Sequence, residues 1–162
     1  MLRVGLISDT HNFLDPQISD YFADCDQIWH AGDFGTMKIA DELAKAAPVT
    51  GVYGNIDGQD VRGVYPLHQR FEIQGIRFWM THIGGTVGRY AIPIRKEMEE
   101  NPPDVFICGH SHILKIARDP NLNKMLFINP GAAGKQGFQK ERTIVRFAID
   151  KGKIVDMEVI TL

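Results

Sequence analysis

The chain has 162 residues, of which 44% are hydrophobic and 23% charged, and its net charge is -2. This composition fits one globular domain, 1–162, large enough to bury a real core. It argues against a long nucleic acid as the main partner, because such binders carry a basic face, and no apolar run is long enough to span a bilayer.

Arg3 to Ser8 is a short apolar run of the kind that forms a buried strand. Leu2 to Ile7 is too short for the apolar region of a signal peptide, so the expected location is cytoplasmic. Asp9-Thr10-His11-Asn12 breaks the run, and Leu14 to Phe22 then shows helical spacing, with Asp15 and Pro16 in its first turn. Cys25 and Cys108, far apart and in no CxxC pair, read as free buried thiols. Gln27 to Ala31 is a second strand, ended by Gly32-Asp33-Phe34-Gly35. Met37 to Ala46 is a helix with Thr36 as N-cap. Val49 to Tyr53 is a third strand, ended by Gly54-Asn55-Ile56-Asp57-Gly58. Strand, polar turn and helix in repetition mark parallel α/β units, whose ligands gather at the carboxyl ends of the strands.

The second half differs. Phe71 to Ile73 and Ile76 to Met80 flank Gln74-Gly75, a two-residue hairpin signal. The second strand of the pair runs into Thr81-His82-Ile83-Gly84-Gly85. Ile92 to Glu100 reads as a helix closed by Asn101-Pro102-Pro103. Val105 to Cys108 leads into Gly109-His110-Ser111-His112. The runs 114–117, 125–128, 143–149 and 154–160 look like antiparallel strands.

Seven polar residues lie at strand ends: Asp9, His11, Asp33, Asn55, His82, His110 and His112. Any one of them alone has an ordinary use, as a helix cap or a satisfied histidine. All seven at the ends of one predicted set of strands point to a metal centre. His30 and His68 lack that setting. Mixed oxygen and nitrogen donors suit Mn, Fe, Zn, Ni or Co better than Ca or Mg. Seven donors exceed one four-coordinate zinc and fit two metals sharing a carboxylate.

Asp9-x-His11, Gly32-Asp33, Gly54-Asn55, His82 and Gly109-His110-x-His112 resemble, in order, the motifs of the calcineurin-like metallophosphoesterase superfamily. Asn129-Pro130-Gly131 resembles a segment of its small bacterial and archaeal phosphodiesterase branch. The resemblance implies a four-layer α/β/β/α sandwich of two mixed sheets flanked by helices. It implies two divalent ions, manganese first among them. Asp9, His11, Asp33 and His112 would hold one ion, and Asp33, Asn55, His82 and His110 the other. Asp33, Asn55 and His82 would form the catalytic centre. The implied reaction is in-line attack of a metal-bridging hydroxide on a small phosphate ester.

One position departs from the superfamily. Many members carry a histidine after Gly-Asn, where this chain has Ile56. Without that proton donor, alkyl monoesters are disfavoured as substrates and diesters favoured. The same fold resembles Vps29, a protein-interaction scaffold with a degraded metal site, and that is the competing expectation. Asp57 is expected as a turn-former, Arg89 as a solvated side chain, Phe34 as packing and Asn12 as a helix cap. Substrate identity and oligomeric state, a homo-oligomer included, stay open.

Overall fold

The computed structural model describes residues 1–162. In chain order the elements are β1 (Leu2–Ile7), α1 (Ile18–Tyr21), β2 (Gln27–His30), α2 (Met37–Ala44), β3 (Val49–Gly51), α3 (Gln59–Arg62), β4 (His68–Ile73) and β5 (Ile76–Thr81). They continue with a small hairpin of β6 (Gly85–Thr86) and β7 (Arg89–Tyr90), a 3-10 turn at Ile92–Ile94, α4 (Arg95–Glu100) and β8 (Val105–Ile107). The chain ends with β9 (Lys115–Asp119), β10 (Met125–Asn129), β11 (Thr143–Asp150) and β12 (Lys153–Thr161).

Two five-stranded mixed sheets result, ordered β12-β11-β1-β2-β3 and β4-β5-β8-β10-β9. Alternation along each strand puts its side chains on both faces. Val4 and Leu6 of β1, Trp29 of β2, Phe78 and Met80 of β5, Val105 and Ile107 of β8 and Val145 of β11 meet in the core between the sheets. The opposite faces are covered as well. Ile7 and Ile28 pack with Ile39 and Leu43 of α2 and Ile18 of α1. Trp79, Phe106 and Phe127 pack with Ile94 and with Met98 of α4. The order of layers is therefore helix, sheet, sheet, helix, as expected from the sequence.

Strands β1, β2 and β3 run parallel, as the alternating pattern requires. β8 is parallel to both β5 and β10. The β10–β9 and β11–β12 pairs are antiparallel. All loops that follow β1, β2, β3, β5, β8 and β10 therefore leave their sheets at carboxyl ends. Gln74 and Gly75 both take positive φ, 53° and 82°, as the tight turn between β4 and β5 demands.

The helix expected over 14–22 shrinks to α1. Asp15 accepts the Gln17 amide at 2.9 Å and the Arg142 guanidinium at 2.9 Å, so its carboxylate fixes a turn instead of a first helical turn. Thr36 stands at the N-cap of α2 but its side chain makes no cap bond. Its hydroxyl donates to Asn12 Oδ1 at 2.6 Å, and Asp60 Oδ2 accepts the Met37 amide at 3.0 Å in its place. The 3-10 turn and α4 replace one continuous helix over 92–100. The short α3 and the β6–β7 hairpin carry too few residues to show a period. No helix is long and apolar enough to cross a membrane.

Candidate metal centre

The loops at the carboxyl ends are bolted to one another by backbone hydrogen bonds. Asp9 N–H donates to Gly32 O, His11 N–H to Asp33 O, Gly109 N–H to His82 O and Gly134 N–H to Asp9 O, all at 3.0 Å. Five of the seven predicted ligands sit in left-handed backbone: Asp9, His11, Asp33, His110 and His112, with φ between 44° and 70°. Asp, Asn and His tolerate this region better than other side chains, yet such a cluster is uncommon and marks a functional site.

The seven side chains converge. Asp9, His11 and His112 offer donor atoms within 4.8 Å of one another, and Asp33, His82 and His110 form a second such group. Asn55 Oδ1 lies 3.0 Å from His110 Nδ1, on the side of the second group. Asp33 Oδ2 lies between the groups, 3.3 Å from His11 Nε2 and 3.1 Å from His82 Nε2. Asp9 Oδ1 is 3.1 Å from His112 Nε2. Ser111 turns away, its hydroxyl accepting from the Ile113 amide and from Asn129 Nδ2.

Each ligand is oriented by the atom it does not offer. Asp9 Oδ2 accepts the Ser8 hydroxyl at 2.6 Å and the His110 amide at 3.1 Å, which leaves Oδ1 free. A Cβ at residue 109 would lie 2.2 Å from Ser8 Oγ, so only glycine admits this approach. Asp33 Oδ1 accepts the Ile56 amide at 3.1 Å. A Cβ on Gly54 would meet that oxygen at 2.1 Å. His82 Nδ1 is paired with Ala31 O at 2.8 Å, so that nitrogen carries the proton and Nε2 faces the site with its lone pair.

Gln139 does the same for His112. Its amide nitrogen donates to Gly134 O and Gln136 O, at 3.2 and 2.6 Å, which turns Oε1 toward His112 Nδ1 at 3.0 Å. Oε1 can only accept, so His112 carries its proton on Nδ1 and offers Nε2.

Electrostatically the site is poised for cations. Burial pushes Asp9 up, but His11, His112, His82 and the Ser8 hydroxyl outweigh it and hold the carboxyl far below its usual range. Burial likewise opposes ionisation of Asp33, and His82 with the Ile56 amide reverses it. His82 is raised because Asp33, Asp9 and the Ala31 carbonyl overcome its burial. His112 is raised chiefly by Asp9, and His110 is lowered chiefly by burial. Asp9 Oδ1, His11 Nε2 and His82 Nε2 are buried without any hydrogen-bond partner. Three buried atoms with lone pairs and no partner fit a bound cation, and mixed imidazole and carboxylate donors suit a divalent transition ion.

Sequence reasoning set His30 aside, took Asp57 for a turn-former and did not single out Gln139, yet all three support the site. Asp57 is 3% exposed and accepts four backbone amides, those of Asp33, Phe34 and Gly54 on Oδ2 and that of Gly35 on Oδ1. Its role goes well beyond that of a local turn-former. His30 is fully buried and stacked on Phe34 at 3.6 Å. Its Nδ1 accepts the Gly32 amide at 3.1 Å, so Nε2–H donates to Thr10 Oγ1 at 3.0 Å, and Thr10 donates to Phe34 O at 2.9 Å. The third support is Gln139, on a turn-rich loop with no motif to announce it. Phe34 is packing, as expected, and Asn12 takes up the Thr36 hydroxyl instead of capping α1. Arg89 is exposed on β7, and His68 accepts from Trp79 Nε1 at 3.3 Å, apart from the site.

Comparison with known proteins agrees with this architecture. The calcineurin-like phosphoesterase superfamily domain matches residues 2–152, and the chain belongs to that family. A probable metallophosphoesterase of Methanothermobacter thermautotrophicus is 33% identical over 137 residues, covering 81% of this chain and 77% of that protein. Among solved structures, an archaeal phosphodiesterase superposes with a TM-score of 0.76 at 24% identity, covering 99% of this chain and 100% of that one. Vps29 of Entamoeba histolytica complexed with zinc superposes with a TM-score of 0.73 at 17% identity, covering 99% of each chain. Both superpositions establish the shared fold. The family is one of phosphoesterases that use divalent metals, and this chain carries two clusters of donor atoms for them.

Proposed function

We propose that the protein is a phosphodiesterase that works with two divalent metal ions, manganese among those it accepts. The observation that carries this reading is the position of Asp33 Oδ2, within 3.3 Å of a histidine nitrogen from each donor cluster. A carboxylate so placed is suited to be shared. Asp9, His11 and His112 with Asp33 would hold one ion, and Asn55, His82 and His110 with Asp33 the other. When bound, the two ions supply Lewis acidity, which acidifies a water and neutralises phosphoryl oxygens.

The chain's own residues set the rest. Asp9 and Asp33 contribute two negative charges against four positive ones, so the loaded centre attracts an anionic ester despite the net charge of -2. His82, locked by Ala31 O, keeps its Nε2 aimed at Asp33. Ile56, exposed and next to Asn55, offers an aliphatic side chain where a proton donor would help an alkoxide leave. That chemistry favours diesters with better leaving groups over alkyl monoesters. A small phosphate ester in the cytoplasm is the substrate this reading implies.

The likeness to Vps29 supports a second reading, a protein-interaction scaffold on the same fold. Metal-stripped protein titrated with Mn²⁺ and assayed with bis(p-nitrophenyl) phosphate decides between them. Metal-dependent hydrolysis is the expected result. Two bound ions with no hydrolysis across a panel of esters would favour the scaffold.

A further inference from the structure

Asn129 is the last residue of β10 and opens the segment Asn129-Pro130-Gly131. It is 1% exposed, and its carboxamide is fully engaged. Nδ2 donates to Gly109 O and to Ser111 Oγ, both at 3.0 Å. Oδ1 accepts the Gly131 amide at 3.0 Å. The Gly109 carbonyl can only accept and the Gly131 N–H can only donate, so these partners fix which end of the carboxamide faces which. Both N–H groups are taken up by the turn that carries His110 and His112.

The bond to Gly109 O acts on a whole peptide unit. That carbonyl and the His110 N–H belong to one planar group. Asn129 holds its oxygen end, and Asp9 Oδ2 accepts from its nitrogen end at 3.1 Å. A plane pinned at both ends sets where the His110 side chain starts. His110 and His112 have φ of 70° and 63°, and such backbone persists only where its surroundings over-determine it. The same bonds reach the other cluster. The pinned peptide occupies Asp9 Oδ2 and leaves Oδ1 for the site, 3.1 Å from His112 Nε2. Ser111 Oγ, held by Asn129, accepts the Ile113 amide at 3.2 Å and so closes the turn around His112.

We propose that Asn129 is a positioning residue for both metal ions. Through the peptide between Gly109 and His110 and through Ser111, it sets His110 for one ion and Asp9 with His112 for the other. This rests on the reading of the centre as one that holds two ions.

The test is Mn²⁺ binding to the whole chain, by competition with a chelating dye, with stoichiometry from elemental analysis. Asn129→Leu removes all three hydrogen bonds at similar volume and adds no charge. It is expected to weaken both ions by about tenfold each. Ser111 is exposed, so Ser111→Ala serves even if Asn129→Leu does not fold. It should weaken both ions by less, and Ser111→Thr, which keeps the hydroxyl, should retain both affinities. Imidazole nitrogen NMR of the metal-free protein gives a second readout. Signals of His110 and His112 should move in Asn129→Leu and Ser111→Ala, while those of His82, held by Ala31 O, stay in place. Unchanged affinity for both ions in the folded variants, or a loss confined to one ion, overturns the proposal. Fewer than two ions on the wild type overturns the two-ion reading instead, and the imidazole signals still report on Asn129.

Discussion

Asp57 Oδ2 accepts the backbone N–H of Asp33 at 3.0 Å, and the same oxygen accepts that of Gly54 at 2.7 Å. One buried carboxylate thereby joins the loop after β2, which carries Asp33, to the loop after β3, which carries Asn55. Asp57→Asn keeps one acceptor oxygen but sets an NH₂ donor against the backbone amide that the other oxygen accepted. Its expected cost is about 3 kcal/mol of stability, together with weaker binding of the ion nearest Asn55. Chemical unfolding and a metal titration measure the two effects. An unchanged second metal affinity in a folded variant would reduce Asp57 to a stabilising role.

Removal of metal should abolish activity, and Mn²⁺ should restore it. Partners of metal ligands typically contribute ~10–100-fold, so loss of a carboxylate proposed to touch both ions should cost more. Asp33→Asn is therefore expected to lower turnover by at least about a hundredfold. The clusters should also separate. His112→Ala should loosen the ion at Asp9 and His11, and His110→Ala the ion at Asn55 and His82. Elemental analysis of both variants reads this, and full occupancy of both sites in each would refute the division.

Gln139 sets which nitrogen of His112 holds the proton. Gln139→Leu removes that acceptor and should weaken the first ion by about tenfold. Gln139→Glu keeps an acceptor and should retain most of the affinity. The comparison is made by competition with a chelating dye, and the second ion, remote from Gln139, should be unaffected. Equal losses at both ions would point to general disruption of the loop.

Ile56→His should raise monoester turnover relative to diester turnover, by about tenfold, which is below the full effect of an evolved general acid. The ratio of rates on p-nitrophenyl phosphate and its bis ester measures it. A ratio that stays level or falls would show that the missing proton donor is not what sets substrate preference.

His30 supplies a pH signature. Burial holds its imidazole down at about 3, against an ordinary value of 6.5. The unfolded chain takes up a proton that the folded chain refuses, so His30 lowers stability progressively as pH falls from 6.5 toward 3. His30→Gln cannot titrate. In the metal-free protein the wild type should be more stable than this variant at neutral pH, and the gap should narrow between about pH 7 and pH 4. Thermal unfolding across that range tests it, and the wild-type-minus-variant difference cancels the contributions of Asp9, Asp33, His82 and His112. A constant gap would mean that His30 takes up its proton equally readily in the folded and unfolded chains.

The architecture was legible because strand ends, glycine breaks and the switch from helical to alternating patterns are local signals. β8 is a continuous apolar run and β1 and β2 have apolar centres, and polar residues just beyond their ends are among those that converge. His112 lies with Asp9 and His11, and His110 with Asp33 and His82. The supports of the site were not legible. His30 sits in a strand that reads as ordinary core, and its partner Thr10 is twenty residues away. Gln139 lies in a loop, and its partner His112 is on another loop twenty-seven residues earlier. Such pairings depend on how two loops are laid against each other, which no local period encodes. Helix α1 came out short for a similar reason, since Arg142 claims Asp15 from the far end of the chain.

The left-handed backbone at Asp9, His11, Asp33, His110 and His112 has a consequence for how such a protein changes over time. Asparagine is also well suited to that conformation. Asp and His codons each become Asn codons by a single-base change. At these five positions a mutation can therefore exchange a carboxylate or imidazole donor for a neutral amide and leave the turn intact. Metal chemistry and chain folding are separable here at the level of the gene. A lineage of this fold can lose its reaction stepwise, without passing through an unfolded ancestor, and keep its surface for other uses.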